Sequence, residues 1–199
     1  MVNSYALVGI VSAVLISGCS LRRSDQEGVQ SEGLSPTEWA SLSQPGPSHN
    51  LLNLFAGSWN VTIKFWSSPD GEPQESRGSS QLSWILGGRF LKEDFDGEAL
   101  GERYQGLGIF GYDSGARLFT TVWLDSLNTA LALQKGHYLA EQNKFELTGE
   151  VYDPLLGRTK TTRSAIRVIS HDSYELTMTD TAPNGAEFRS LEIRYARKS

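Results

Sequence analysis

Glycines at 106, 108 and 111 in "YQGLGIFGYD", Tyr104 to Asp113, spell G-x-G-x-x-G, the spacing of a turn that cradles a dinucleotide pyrophosphate. That chemistry needs a helix to begin beside the glycines, because the free N–H groups of its first turn hold the phosphate. The chain instead continues with "SGA" and then "RLFTTVWL", another strand-like run. Gly106 and Gly108 alternate with Leu107 and Ile109, so they share a face with Tyr104, Phe110 and Tyr112. Missing side chains beside aromatics let a strand bend or a large ring cross it, which makes these glycines features of a barrel wall.

Histidines 49, 137 and 171 are the candidates for metal or acid–base work, and they lie far apart. His49 opens a helical stretch, where packing or capping is expected, and His171 falls in the polar turn "SHDS". His137, in "KGHYL", is on a strand and would reach a lumen if it faced inward. A haem-binding barrel of related architecture holds its iron through a histidine, which makes His137 the one to test. No Cys/His cluster has zinc spacing and no G-x-S-x-G elbow is present, so no metal, cofactor or catalytic residue is expected.

Arg89, Tyr112, Trp123 and Asp125 are more suggestive. Trp123 and Asp125 share a strand face with Phe119, and Arg89 follows the Gly87–Gly88 turn. An Arg89–Asp125 pair beside aromatics would either orient a ligand or brace a barrel end. With Tyr104, Phe110 and His137, these four form the candidate ligand-binding set. Glu93, Asp94 and Asp96 cluster on one strand, but alternation sends Glu93 and Asp94 to opposite faces, and such a charge run is expected to be solvated.

A net charge of -5 and the lack of any concentrated Lys/Arg stripe argue against nucleic acid as a partner. Cys19 is the single cysteine, so no disulfide forms within the chain. It ends the apolar run "YALVGIVSAVLISGC", which is short for a membrane span of ~20 residues but suits a signal-peptide core. Ile16-Ser17-Gly18-Cys19 resembles the lipobox of bacterial lipoproteins. That resemblance implies a signal peptide over residues 1–18, a diacylglycerol on Cys19 and attachment to the membrane through it. Ser20 after the cysteine resembles the outer-membrane sorting pattern, so a periplasm-facing location in the cell envelope is expected. The start "MVNS" lacks Lys and Arg while Arg22 and Arg23 follow the run, which leaves an uncleaved anchor, a plain signal peptide or a buried thiol as alternatives.

The elements that must position these residues are short helices and a long series of strands. Residues 19–34 carry scarcely any apolar side chain and are expected to be a flexible tether. Ser35-Pro36-Thr37-Glu38 has the form of a capping box, starting a short helix that "SQPGPS" breaks. A second cap at Ser48 opens "HNLLNLFAG", so residues 35–56 are expected to be short helices capping a barrel. From Trp59 onward the period is two, as in "WNVTIKFW", and about ten strand-like runs succeed one another, separated by Pro/Asp/Gly turns. Consecutive hairpins without crossovers predict an all-β, single antiparallel up-and-down barrel over residues 57–199.

"HNLLNLFAGSW", "LGGRFLKEDF", "YQGLGIFGYD", "TTVWLDS", "FELTGEV" and "LEIRYAR" occur in an order that resembles a family of uncharacterised bacterial barrels, a domain of unknown function grouped with the calycins, lipocalins and fatty-acid-binding proteins. Gly57-Ser58-Trp59 also resembles the lipocalin G-x-W, which implies an indole closing the barrel floor with an arginine near the chain end across it. Arg194 and Arg197 both qualify; alternation does not choose, and Arg194 is taken with Trp59 as the structural floor. The expected function is a non-catalytic, lipid-anchored barrel that binds a small, partly apolar or amphipathic ligand. The alternatives are a platform for another envelope protein, or a hydrolase or isomerase using His137, Asp125 and Tyr112.

Overall fold

The computed structural model describes residues 33–99, 101–153, 157–182 and 185–199. Cys19, the expected signal peptide and nearly all of the expected tether lie outside the described residues.

Ten strands form one closed antiparallel barrel. They are β1 Gly57–Phe65, β2 Gln74–Ile85, β3 Phe90–Ala99, β4 Glu102–Asp113, β5 Leu118–Asp125, β6 Ala132–Leu139, β7 Lys144–Asp153, β8 Arg158–Ser170, β9 Ser173–Thr181 and β10 Glu187–Arg197. Each strand pairs with its neighbour in sequence, and β1 closes the ring against β10. This is the expected up-and-down architecture, and closure removes every edge. The polar start of β8 is therefore a rim, where Lys160 lies between Asp153 at 3.0 Å and Asp180 at 2.6 Å.

The strands run longer than their alternation suggests. β2 starts at Gln74 and β3 continues to Ala99, through segments whose composition reads as turn. Gln74 and Glu75 are exposed, because these ends project past the core; without a dry face, no period of two marks them.

Before the barrel come α1, Pro36–Leu42, and α2, Pro47–Asn50, which continues as a 3-10 turn over Leu51–Leu54. Ser35 caps α1 as expected: Glu38 N–H donates to its hydroxyl at 3.3 Å, and Glu38 Oε2 accepts from Ser35 N–H at 2.8 Å. The second helix departs from expectation, since its cap is Gly46 and not Ser48. Pro47 fits the first helical position, and the acceptor is the His49 ring, whose Nδ1 takes the Gly46 N–H at 3.0 Å.

The connections alternate between two ends. One end gathers the β2–β3, β4–β5, β6–β7 and β8–β9 turns together with the start of β1 and the end of β10, and it is plugged. Leu52 and Phe55 from the helical segment are buried there, with Phe55 meeting the rings of Phe145 at 5.5 Å and Tyr174 at 4.8 Å. Trp59 is wholly buried beside them and donates from Nε1 to Phe55 O at 2.8 Å. Burying side chains of this size stabilises the fold by about 1.5–3 kcal/mol each. The other end, carrying the β1–β2, β3–β4, β5–β6, β7–β8 and β9–β10 connections, is the mouth of the barrel.

The arginine across Trp59 is Arg197, not Arg194. Its guanidinium carbon is 4.1 Å from the indole centroid, and the same group donates to Ala56 O at 2.8 Å and His171 O at 2.9 Å. Arg197 pairs directly with Trp59 in the β1–β10 register, so both point inward. Arg194 pairs with Thr62, one residue out of phase, and stands exposed on the outer wall beside Glu175 at 3.1 Å. Gly57 has φ +125°, and a Cβ there would lie 2.5 Å from Arg197 Nη1, which explains the glycine in G-x-W.

Candidate functional site

Between the aromatic plug and the mouth the lumen holds a cavity of about 240 Å³. Its wall is mostly apolar: Ile63, Phe95, Leu147, Leu176, Leu191 and Ile193 are typical of it, and among the described residues no Lys or Arg lines it. Gln134, Thr162 and Ser164 form a polar row along β6 and β8, in which Ser164 donates to Gln134 at 2.8 Å and Gln134 donates to Thr162 at 3.0 Å. At the density of a protein interior the space accommodates about ten non-hydrogen atoms.

Glu93 lies at the inner limit of this cavity, in the register of Leu91 and Phe95, and is 1% exposed. Its Oε1 accepts hydrogen bonds from Ser80 and from Tyr195, the latter at 3.3 Å. Burial pushes the carboxyl up to about 7, against the pull of these two donors. The expectation of a solvated charge run fails here and holds for its neighbours: Asp94 and Asp96 are exposed and paired with Lys92 and Arg103. The signal was present in the sequence. Leu91, Glu93 and Phe95 share one face by alternation, so an inward carboxylate is legible once the strand's dry face is identified.

Near the mouth, Trp123 Nε1 donates to Tyr104 OH at 3.0 Å and to Asp125 Oδ2 at 3.1 Å, while Tyr104 OH donates to the same Oδ2 at 3.3 Å. Burial, with the negative charge of Asp125 next, holds the Tyr104 phenol well above its usual range, so it stays a neutral donor. The glycine face of β4 makes this possible. A Cβ at Gly106 would come within 2.1 Å of the Trp123 ring, so the indole lies across the strand where the side chain is missing. The G-x-G-x-x-G spacing thus serves ring packing, and the element after it is the strand β5.

The sequence-derived candidates separate into three groups. Tyr104, Phe110 and Trp123 line the cavity, and Asp125 anchors two of them from the mouth. Arg89 and Tyr112 belong to the plugged end: Arg89 donates to Ser43 O at 3.0 Å, and Tyr112 packs edge-on against His49 at 5.6 Å. Arg89 and Asp125 therefore lie at opposite ends of the barrel and form no pair, because β3 starts where β5 starts and Asp125 ends β5. His137 pairs with Glu146 on the outer face and is one position out of phase with the inward Gly136 and Tyr138. It has no access to the lumen, so neither a haem iron inside the barrel nor the trio His137, Asp125 and Tyr112 is served by it. Among the described residues no three of His, Cys, Asp and Glu are grouped to hold a metal ion.

Comparison with solved structures finds the crystal structure of Rv2717c from M. tuberculosis at a TM-score of 0.57 and 15% identity, covering 78% of this chain and 100% of that one. A redesigned beta barrel aligns at a TM-score of 0.37 and 15% identity, over 75% of this chain and 96% of that one. At this identity the first likeness is one of fold. No match exists among curated proteins. A family model described as "Protein of unknown function (DUF1579)" matches residues 44–197. That span takes in α2, the aromatic plug, all ten strands and the Trp59–Arg197 floor, and the chain belongs to the DUF1579 family.

Proposed function

We propose that this chain is a non-catalytic binding protein whose lumen, between Glu93 and the mouth, takes one small, mostly apolar molecule. The observation that carries this is the half-filled barrel. Aromatic rings pack one end solidly, while the other end keeps an apolar cavity of about 240 Å³ although larger side chains would fill it. Ala132, a small residue on an inward position, contributes to that space. In the same reading, Cys19 is lipidated and holds the barrel at the outer membrane facing the periplasm, where an apolar cargo would need a carrier.

The test is a calorimetric titration of the full chain with α-methylstyrene, an uncharged probe of the size of the cavity. Binding of one equivalent that Ala132→Phe abolishes, with its fold intact by circular dichroism, is the expected result. Unchanged binding in Ala132→Phe would move the site elsewhere, and no binding to the native chain of either this probe or its ketone analogue acetophenone would end the reading. The alternative of an assembly platform draws on exposed Leu124, Leu127, Leu131 and Leu133 around the mouth, and it predicts no binding of the probe at all.

A further inference from the structure

Glu93 has two carboxyl oxygens and only one is used. Ser80 and Tyr195 both donate to Oε1, and among the described residues nothing bonds Oε2. No side-chain N or O shielded from all solvent lacks a partner among those residues, so this oxygen reaches the surface of the cavity. It points over Gly108, where an added Cβ would come within 3.3 Å of it. Among the described residues, the surroundings contain no cation to balance a negative charge. The titratable groups facing Glu93 are Tyr195 on β10, Tyr174 on β9 and Tyr104 on β4, with Asp94 beside it on the outer face of its own strand. β1 and β2 offer Val61, Ile63, Ser80 and Leu82 on their inward positions. Two donors on Oε1, a free Oε2 and no counter-charge describe a carboxylic acid whose proton is on the oxygen that faces the cavity.

We infer that Glu93 Oε2–H is the polar recognition point of the lumen, donating a hydrogen bond to a carbonyl-type acceptor at the inner end of an otherwise apolar, uncharged ligand. This rests on the lumen reading above and adds the chemical class of what it holds. The acid cannot welcome a cation without first losing its proton in an apolar pocket. A hydrocarbon would leave Oε2 without a partner at the same cost as the unliganded state.

Acetophenone and α-methylstyrene have the same shape and differ in C=O against C=CH2, so their affinities for the full chain isolate the acceptor. Acetophenone should bind about three- to tenfold tighter at about pH 5.5, the range of one neutral hydrogen bond, and the advantage should vanish at about pH 8.5. Glu93→Gln, which keeps an N–H donor, should retain the preference at both pH values. Glu93→Leu should bind the two probes equally. Equal affinity of both probes for the native chain at low pH would overturn the inference while leaving the lumen reading intact. A pH dependence that persists in Glu93→Gln would overturn it as well, and failure of both probes to bind would remove the lumen reading and this inference together.

Discussion

Tyr195 donates a hydrogen bond of 3.3 Å to Glu93 from 102 positions further along the chain. Two strands, β1 and β2, separate their backbones in the ring, so this contact exists only because the sheet closes on itself. It ties β10 to the inner limit of the cavity, and it places a buried acid between the aromatic plug and the apolar part of the cavity wall.

Glu93 makes folding pH-dependent with a defined sign. Its folded value is raised to about 7 from an ordinary value of 4.5, so the native state holds the proton longer than the unfolded chain. The stability this provides is complete below the unfolded value and is lost as pH rises through about 7. Urea denaturation of the native chain and Glu93→Gln should give curves that diverge over that window by about 3 kcal/mol, with the variant relatively more stable at high pH. Parallel curves would show that Glu93 titrates normally.

Arg197 and Arg194 should behave very differently despite their spacing. Arg197→Met removes the contact with Trp59 and strands carbonyls of Ala56 and His171, at a cost of about 2–4 kcal/mol. Arg194→Met removes an exposed guanidinium from Glu175 and Glu192, each of which keeps another arginine, at a cost under about 1 kcal/mol. Equilibrium denaturation of both variants checks the order, and equal losses would contradict the assignment of the floor.

Gly106→Ala should be destabilising by about 1–3 kcal/mol, because the new methyl meets the Trp123 ring and the strand cannot move away inside a closed sheet. The penalty should shrink in a Trp123→Leu background, where the ring is gone. A double-mutant cycle reads this coupling directly, and additive costs would mean that the ring and the glycine do not meet.

His49 has its pKa lowered, first by burial and then by the nearby Arg89 charge. The unfolded chain therefore takes up the proton before the folded one, and stability should fall as pH drops below the ordinary histidine value of about 6.5. Protonation also removes the Nδ1 lone pair that accepts the Gly46 N–H. Comparing the native chain with His49→Asn, which preserves a cap, over that range by thermal unfolding should show a slope in the first that is reduced in the second.

Much of the fold was legible because a closed meander repeats one local rule: alternating faces and short polar turns locate every strand from Trp59 onward. The site was less so. Alternation gives Trp123 and Asp125 a common face, yet it says nothing about which end of the cylinder a residue occupies, and this is why Arg89 and Asp125 look like partners in the sequence. It also assigns His137 to one of two faces without naming the inner one; the inward neighbours Gly136 and Tyr138 carry too little apolar pattern to decide. Glu93 escapes for a different reason, since a charged residue on a dry face violates the expectation that burial excludes carboxylates. Such violations concentrate where a protein binds something.

The most direct measurement is a crystal structure of the barrel pressurised with xenon, which enters apolar cavities and avoids packed or polar ones. The account predicts xenon density in the lumen between Phe95, Leu176 and Ile193, above Glu93, and none among Phe55, Trp59 and Tyr174. A lumen without xenon, its side chains collapsed inward, would contradict it.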